Sequence, residues 1–419
     1  GCGSNYSFQT NSKTNFCLDK NKFLFFFFKI FILSYIIKMA NQFQQTKLYH
    51  QTEPQSIQTQ YSSQNQVDFL ISCGAGRSLV KNSVRIVGEV QVNSTGTTRT
   101  TDGIQFNRNV GAHAFFGNMT TSFAGGQSAG GAGGQIENLQ QYPRWVAMGA
   151  AASLNEYDMF NGSNQCELRA VNDEVMLGYS NGIKPNLTTA TAVINNADFS
   201  IKPDCCLNRM SGNDLPFNKT GIITLQSALA RDMDALFGSN QLISANYSLT
   251  NLRCTWQSVV DSPTPGTTSM RVEYPIKSNI LSGTATLSTN VPAICQGVST
   301  NFILTDHEGV QVFDSYKLEN PTQLQSVAYI MNDKTNSLIT YQLTDQTEIL
   351  ERFIDSMYNS GHNQVSLDKF RANNGFCCGL DFDDEVDLSS NRFTLQMVSG
   401  IANQNPMNVF QFFHSAVSV

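Results

Sequence analysis

From Val67 onward, apolar and polar residues alternate in short runs that are rich in β-branched and aromatic side chains. In SVRIVGEVQV, residues 83–92, the even-numbered positions other than Gly88 are apolar, and most odd-numbered positions are polar. Successive side chains of a strand point to opposite faces, so this pattern predicts strands with one face in a core. Glycine, asparagine and serine separate the runs, which is typical of many short antiparallel strands. The pattern predicts an all-β protein.

Two segments have helical spacing instead. Residues 136–157, IENLQQYPRWVAMGAAASLNEY, place Ile136, Leu139, Trp145, Met148 and Ala152 near one face, with Pro143 starting or breaking a turn. Residues 345–361 begin with Asp345 as a capping residue and Glu348 three positions later. The apolar face of this second segment consists of Ile349, Phe353, Ile354 and Met357. We therefore expect short helices inserted in the connections between strands.

The order of the predicted elements occurs twice. NKTGIITLQSALA at 218–230 and NRFTLQMVSGIA at 391–402 both carry TLQ in an apolar run, and each is followed by a closing strand. DSPTPGTTS, residues 261–269, has the composition of a linker. We predict one β domain at 67–260 and a second at 270–419. The pattern fits either a sandwich or a jelly roll for each copy.

The duplication predicts equivalent core positions in the two copies. Leu225 and Leu395 lie at the same place in the two TLQ runs, and Phe393 shares the parity of Leu395. Trp145 and Trp256 are the two tryptophans of the chain. We expect these five residues to belong to the structural core.

The N-terminal segment differs in kind from the rest of the chain. The apolar run 23–37 is interrupted by Lys29 and is short for a bilayer span. We expect 1–38 to be a non-native or upstream extension, with a signal peptide or membrane anchor as the alternative. Met39 opens a glutamine-rich stretch, and we expect residues 39–66 to form a flexible arm.

Composition limits the classes of function. Hydrophobic residues make up 41% of the 419 positions, which is enough for real cores, and charged residues only 14%. The net charge of −6 argues against a protein whose main role is to coat nucleic acid. The ten cysteines include the adjacent pairs Cys205–Cys206 and Cys377–Cys378 but no C-x-x-C motif. This usage favours buried thiols in a reducing compartment.

Candidate chemistry is sparse in the sequence. Asp306-His307-Glu308 suggests a metal or acid–base site, but neighbours on an extended segment point to opposite sides. The acidic stretch 381–387 contains Asp381, Asp383 and Asp384, which are weak candidates for a divalent-metal site. His113 lies beside aromatic residues and reads as a hydrogen-bonded core or interface histidine. The sequence lacks G-x-S-x-G and P-loop motifs, and we predict no catalytic residue and no cofactor.

Read in order, several segments resemble the double jelly-roll major capsid proteins of polinton-like viruses, virophages and related DNA viruses. The resemblance rests on VDFLISCGAGRSLVKNSVRIVGEVQV, on NVGAHAFFGNMTTSF with GGQIENLQQYPRWVAM, on LPFNKTGIITLQSALA with YSLTNLRCTWQSVV, and on the terminal DLSSNRFTLQMVSGIANQNPMNVFQFF. It spans residues 67–419. The resemblance implies two consecutive jelly-roll domains, with short helices in their connections.

The resemblance also implies a function. The chain would be a non-enzymatic major capsid protein that trimerises into pseudo-hexameric capsomers and tiles an icosahedral shell. Its partners would be other copies of itself, neighbouring capsomers, penton and minor capsid proteins and an internal membrane, without specific nucleic acid. It would reside in the virion after assembly in the host cytoplasm or nucleus. The alternatives are an extracellular β-sandwich glycan-binding protein and a glycoside hydrolase, whose paired carboxylates need only meet in space.

Overall fold

The computed structural model describes part of the chain at residue level. It describes residues 47–74, 76–95, 106–125, 134–153, 166–169, 191–193, 197–238, 245–262, 266–281, 284–332, 338–358, 375–400 and 405–419. The elements below belong to one compact unit, Leu48–Val419. The extension predicted over 1–38 lies outside the described residues.

In the first half of the chain, the described residues form strands and three helices. The strands are β1 (Leu48–Thr52), β2 (Tyr61–Ser62), β3 (Gln66–Ile71), β4 (Arg77–Leu79), β5 (Arg85–Thr95), β6 (Met119–Phe123), β7 (Gln135–Leu139), β8 (Thr191–Val193), β9 (Ala197–Ile201), β10 (Met210–Gly212), β11 (Leu215–Pro216), β12 (Ile223–Ala228) and β13 (Ala245–Val260). The helices are α1 (Tyr142–Ser153), α2 (Phe217–Thr220) and α3 (Asp232–Ala235). 3-10 turns occupy Gly111–Phe115 and Cys206–Asn208.

The second half has longer strands and one long helix. Its strands are β14 (Thr268–Ile280), β15 (Ala285–Thr289), β16 (Ile294–Leu304), β17 (Leu324–Met331), β18 (Ile339–Gln342), β19 (Cys377–Asp387), β20 (Phe393–Ser399) and β21 (Met407–Ser418). The helix is α4 (Gln346–Tyr358), and a 3-10 turn occupies Thr305–His307. The four residues of the predicted apolar face of α4 are all buried or partly buried, so that helix prediction is confirmed, and Leu350 and Ser356 are buried beside them.

The described strands form four antiparallel sheets, two in each half of the chain. Sheet I has the order β11-β4-β13-β5-β8, with β1 and β2 also on β13 and β9 also on β5. Sheet II is β3-β12-β6-β7, sheet III is β10-β14-β21-β16-β19, and sheet IV is β15-β20-β17-β18. The fold is therefore all-β, with two consecutive jelly-roll sandwiches and helices in the connections, as predicted.

The strand order shows the duplication directly. The TLQ strands β12 and β20 both hold the second position of a four-stranded sheet, and the closing strands β13 and β21 hold matching positions in sheets I and III. α1 follows the edge strand β7, and α4 follows the edge strand β18. The repeated motif in the sequence therefore reflects a repeated topology.

The N-terminal arm predicted for residues 39–66 is wrong for residues 48–66, because this segment contains strands β1 and β2 and the start of β3. β1 pairs with β13 from Leu48 opposite Ser258 to Thr52 opposite Cys254. The ring of His50 stacks on Trp256 at a centroid distance of 4.0 Å, and its Nε2 lies 2.7 Å from Ser258 Oγ. Backbone pairing with a distant strand gives a polar segment order that its composition does not reveal.

Two further details differ from the sequence prediction. β14 already begins at Thr268, within the segment 261–269 that was predicted to be a linker. Ile136 and Leu139, which were assigned to the first helix, lie in strand β7, and the helix itself begins at Tyr142. Pro143 is the second residue of α1, where its missing N–H costs no intrahelical hydrogen bond.

β21, the central strand of sheet III, is buried on both faces, whereas many antiparallel sheets have one face in solvent. On one face of β21, Phe413 meets Phe393 of sheet IV with ring centroids 5.3 Å apart. On the other face, Phe412 meets Trp145 of α1 at 5.5 Å. The run from Met407 to Ser415 is consequently buried without interruption. Sheet III is thus both half of the second sandwich and the surface on which the first jelly roll packs.

The two TLQ strands generate a paired stability prediction. Leu225 and Leu395 are fully buried, whereas Gln226 and Gln396 occupy half-buried positions on the opposite faces of the same strands. Leu225→Ala and Leu395→Ala should each lower the free energy of unfolding by about 2–5 kcal/mol, through lost burial and a residual cavity. The matched controls Gln226→Ala and Gln396→Ala should change it by less than about 0.5 kcal/mol. Denaturant unfolding measures all four, and one neutral leucine would show that the halves are not equivalent.

Candidate functional site at the junction of the two jelly rolls

α1 attaches the first jelly roll to sheet III of the second. It is buried on every side as far as Ala152, so its charged residue Arg144 must find its partners inside the protein. Arg144 Nη1 donates to Asn301 Oδ1 and to the Lys317 carbonyl, both at 3.2 Å, and Nη2 donates to the Ser315 carbonyl. Its guanidinium lies over the ring of Phe410, 4.1 Å from the centroid. Burial lowers the pKa of Arg144.

A second buried arginine, Arg209, binds carboxylates from both jelly rolls. Its Nη2 pairs with Glu137 Oε1 from β7, and its Nη1 lies 2.7 Å from Glu273 Oε1 on β14. Asp204 Oδ1 is 3.5 Å from Nε, and the guanidinium stands 5.1 Å from the centroid of the Trp145 ring. Burial opposes the charge on Arg209, yet the surrounding carboxylates outweigh it and raise the pKa of Arg209.

Backbone amides complete the binding of Glu137. The Glu273 N–H donates to its Oε1 at 3.0 Å, and the Cys206 N–H donates to its Oε2 at 2.7 Å. This carboxylate therefore receives donors from both halves of the chain. β10, which starts directly after Arg209, pairs with β14 from Met210 opposite Met270 to Gly212 opposite Thr268. A strand from the first half of the chain thus extends a sheet of the second beside the buried charges.

His414 extends the arrangement into the second jelly roll. Its Nδ1–H donates to Glu273 Oε2 at 2.6 Å, and its Nε2 lies 2.8 Å from Ser299 Oγ. Ser299 Oγ is in turn 2.9 Å from Ser356 Oγ on α4. A side chain at Gly379 would meet Ser356 Oγ at 2.1 Å, so glycine is needed there. We call Glu137, Arg209, Glu273 and His414 the junction network.

Ser299, His414 and Glu273 have the connectivity of a serine-hydrolase triad. Such a triad works only when the hydroxyl can reach a substrate carbonyl and an oxyanion site. Here the serine, histidine and glutamate are at most 1% exposed. Together with the links to Arg209 and Ser356, this burial makes the arrangement a structural connection between β14, β16, β21 and α4.

His113 forms a separate buried cluster within the first jelly roll. Its Nδ1 lies 2.5 Å from the hydroxyl of Tyr142, and its Nε2 is 3.3 Å from Glu167 Oε2. Burial lowers the pKa of His113. Burial opposes the ionisation of Glu167. The charge of Arg169 and the contact with His113 outweigh it and lower the pKa of Glu167 to about 2. His113 is thus a core histidine, as its sequence context suggested.

The residues of the Asp306-His307-Glu308 motif do not converge on a common point. Asp306 is exposed, His307 Nδ1 lies 2.5 Å from Glu319 Oε1, and Glu308 pairs with Lys277 at 2.9 Å. The ring of His307 also stacks on Phe313 at 4.0 Å. His307 and Glu308 therefore serve different local contacts.

The weak metal candidates lie in an irregular part of β19. The pairing with β16 jumps from Cys295 opposite Val386 to Gly297 opposite Asp381, so the intervening residues bulge outward. Asp383 has a positive φ of 62°, its N–H donates to Asp381 Oδ1 at 3.1 Å, and Asp384 is exposed. In the part of the chain that the structure describes, no group of three or more histidine, cysteine or acidic side chains could hold a metal ion.

The five predicted core residues are all buried, but they lie in different places. Leu225 packs inside the first sandwich, and Leu395 and Phe393 pack inside the second. Trp256 lies under His50 at the edge of sheet I, and Trp145 lies at the junction. The sequence therefore indicated one residue of the junction, Trp145, without its charged neighbours.

The junction network was missed by reasoning from sequence, although a weak signal exists. Glu273 lies in the strand segment MRVEYPI, which also contains Arg271, and His414 lies in VFQFFHS, and both segments are otherwise mostly apolar. A titratable side chain inside such a run requires a buried partner. The identity of that partner depends on contacts far apart in the chain, which periodicity cannot supply.

The fold and the junction define a class of protein: a double jelly roll whose two sandwiches are joined by a buried, charged interface. No protein-family model and no curated protein matches the sequence. Solved structures do match. The chain is similar to the Faustovirus major capsid protein, with a TM-score of 0.60, 8% identity, and coverage of 89% of this chain and 90% of that one.

Two other solved structures show the same likeness. A chain of the Sputnik virophage gives a TM-score of 0.54 at 11% identity, covering 90% of this chain and 87% of that chain. The mavirus major capsid protein gives 0.52 at 10% identity, covering 87% and 86%. The chain thus has the fold of these proteins along nearly its whole length, which confirms the fold that the sequence resemblance implied.

The junction network generates a second stability prediction. Arg209→Met should lower the free energy of unfolding by about 3–5 kcal/mol, because it leaves Glu137 and Glu273 buried without their shared cation. Burial raises the pKa of Glu137. The penalty should therefore shrink at acidic pH, where this carboxylate takes up a proton, and grow as the pH rises. The matched control is Arg231→Met, which removes an exposed arginine paired with Asp234 and should cost at most about 1 kcal/mol. Equal effects of the two substitutions in denaturant unfolding would contradict this role of Arg209.

Proposed function

We propose that the protein is a viral capsid subunit, specifically a major capsid protein of the type found in virophages and related DNA viruses. The observation that carries this proposal is the double jelly-roll fold, shared over nearly the whole chain with the Faustovirus and mavirus major capsid proteins. The absence of sequence-level matches leaves this fold likeness as the main support.

The duplicated fold supports a particular mode of assembly. Two jelly rolls of matching topology, fixed side by side, form two similar wedges in one chain. Three chains that join head to tail around a three-fold axis then make a ring of six similar wedges, which is a nearly hexagonal tile. The junction network suits this role because a tile needs a constant angle between its wedges. We infer a homotrimeric, pseudo-hexameric capsomer that tiles an icosahedral shell.

Apolar side chains exposed on the single chain are available for contacts between subunits. Tyr49 on β1 is 80% exposed, Ile57 in the following loop 74%, and Leu281 after β14 73%. Interfaces between permanently associated subunits are more apolar than the remaining surface, so such side chains become buried on assembly. These three residues are the first candidates for inter-subunit contacts.

The proposal extends to partners and location. Other copies of the chain, neighbouring capsomers, penton and minor capsid proteins and an internal membrane would contact the shell subunit, without specific recognition of nucleic acid. The protein would reside in the virion and assemble in the cytoplasm or nucleus of the host cell. We assign it no catalytic function, since the buried Ser299, His414 and Glu273 serve the junction.

The oligomeric state in solution tests the proposal. Multi-angle light scattering on the purified chain at micromolar concentration should give the mass of three chains. The trimer should persist on dilution because permanent interfaces bury more than about 2,000 Å². A monomer at that concentration would contradict the capsid proposal. It would favour the alternatives of glycan binding or glycan hydrolysis, which assays on a panel of polysaccharides would detect.

A further inference from the structure

An amine, a carboxylate and a carboxamide meet at the base of the loop that follows β16. Lys277 on β14 and Asn408 on β21 lie on the same face of sheet III, since Lys277 is opposite Phe410 and Asn279 is opposite Asn408. Glu308 reaches them from the turn after β16. Lys277 Nζ is 2.9 Å from both Oε1 and Oε2 of Glu308. Asn408 Nδ2 donates to Glu308 Oε2 at 2.5 Å. One carboxylate therefore contacts both the amine and the amide nitrogen.

The carbonyl side of Asn408 is also engaged. Asn279 Nδ2 donates to Asn408 Oδ1 at 2.8 Å and to Thr305 Oγ1 at 3.0 Å. With Glu308 accepting from one end of the Asn408 amide and Asn279 donating to the other, only one orientation of this amide satisfies both neighbours. The residue is 6% exposed, so water has little access to its carbonyl.

These contacts place each group required for amide exchange. An amine can attack a carboxamide carbon when a base removes its proton, a donor stabilises the developing oxyanion, and an acid protonates the leaving nitrogen. Lys277 supplies the amine, and Glu308 can transfer the proton. Asn279 supplies the hydrogen-bond donor at Asn408 Oδ1. Holding these groups together in a folded protein makes the attack intramolecular, which raises its rate by a large factor.

We propose that Lys277 and Asn408 form a spontaneous isopeptide bond in the folded protein. The Lys277 ammonium first loses one proton to give the free amine. Its Nζ then forms a bond to Asn408 Cγ while Glu308 accepts the second proton. The bond from Cγ to Nδ2 breaks, and Glu308 returns that proton to the leaving nitrogen. The products are one secondary amide and one ammonia, which takes up the first proton as ammonium, and no oxidant or other co-reactant is needed.

Among the residues that the structure describes, two other cation–carboxylate contacts lack this combination. Lys317 Nζ lies 3.7 Å from Glu319 Oε1, but the other partner of that oxygen is His307. Arg231 and Asp234 form a surface pair within one turn. Lys277 also lies over the ring of Phe410, 5.3 Å from its centroid, which positions its flexible side chain although it is 41% exposed. Lys277 differs from these residues because its carboxylate partner, Glu308, also accepts a hydrogen bond from the carboxamide of Asn408.

The bond would close most of the second jelly roll into a covalent ring. It would join β14, the first strand of that domain, to β21, the last, and enclose the chain from 277 to 408. A cross-link between distant positions restricts the unfolded chain and thereby favours the folded state. A subunit closed in this way would resist opening of the β14–β21 ladder, the pairing on which sheet III is built.

Mass spectrometry of the purified full chain tests the proposal. The denatured protein should be lighter than its sequence by one ammonia, and a protease digest should contain a branched peptide that joins Lys277 to Asn408. Lys277→Arg and Glu308→Gln should each restore the full mass and abolish the branched peptide. Lys317→Arg is the matched control, because it removes a lysine from a carboxylate contact that has no carboxamide partner, and it should leave the cross-link intact.

Three results would overturn the proposal. The first is a wild-type chain of full sequence mass after prolonged incubation in its folded form. The second is a loss of ammonia without the branched peptide, which would assign the loss to another side chain. The third is a cross-link retained in full by Glu308→Gln, which would remove the carboxylate from the reaction. Circular dichroism of each variant establishes that it is folded when the mass is measured.

Discussion

One arginine side chain, Arg209, fixes how the two halves of this protein meet. It shares its guanidinium between Glu137 of the first jelly roll and Glu273 of the second, and all three side chains are shielded from water. Removing charges from water is costly, so a buried ion pair contributes less to stability than to selecting one geometry. Any relative shift of the two sandwiches would separate a buried charge from its partner. His414 contacts Ser299, and Ser299 contacts Ser356 on α4, so the position of α4 is linked to the same buried charges.

The two-sided burial of β21 follows from that constraint. α1 packs on the outer face of β21 while sheet IV packs on its inner face, so both faces of this central strand are covered. This packing joins the two sandwiches into one body. For a shell subunit this is the required mechanical property, since six wedges close a ring only when their mutual angles are constant.

The sequence revealed those features that depend on local pattern. Alternation placed Val84, Ile86, Val90 and Val92 inside, and all four are buried. The repeated TLQ run correctly indicated two copies of one topology. Capping and apolar spacing located α4. These predictions were correct for the same reason: the period of a strand or a helix can be read from residues that are close together in the sequence.

The features that the sequence did not reveal depend on contacts between residues that are far apart in the chain. The polar segment that forms β1 gains its order from β13, about two hundred residues away. Glu137, Arg209, Glu273 and His414 come from four separate segments, so no spacing rule could group them. The contacts among Ser299, His414 and Glu273 could not be predicted from the sequence for the same reason. Only the folded structure shows that these three side chains are buried.

The buried junction makes the two jelly rolls one cooperative body. Differential scanning calorimetry of the purified chain compares the calorimetric enthalpy of unfolding with the van't Hoff enthalpy. The buried junction predicts that residues 48–419 unfold in a single transition, with the two enthalpies equal for a unit of that size. Two resolved transitions, each with the enthalpy of about half the chain, would contradict the claim, because they would show that the sandwiches unfold independently.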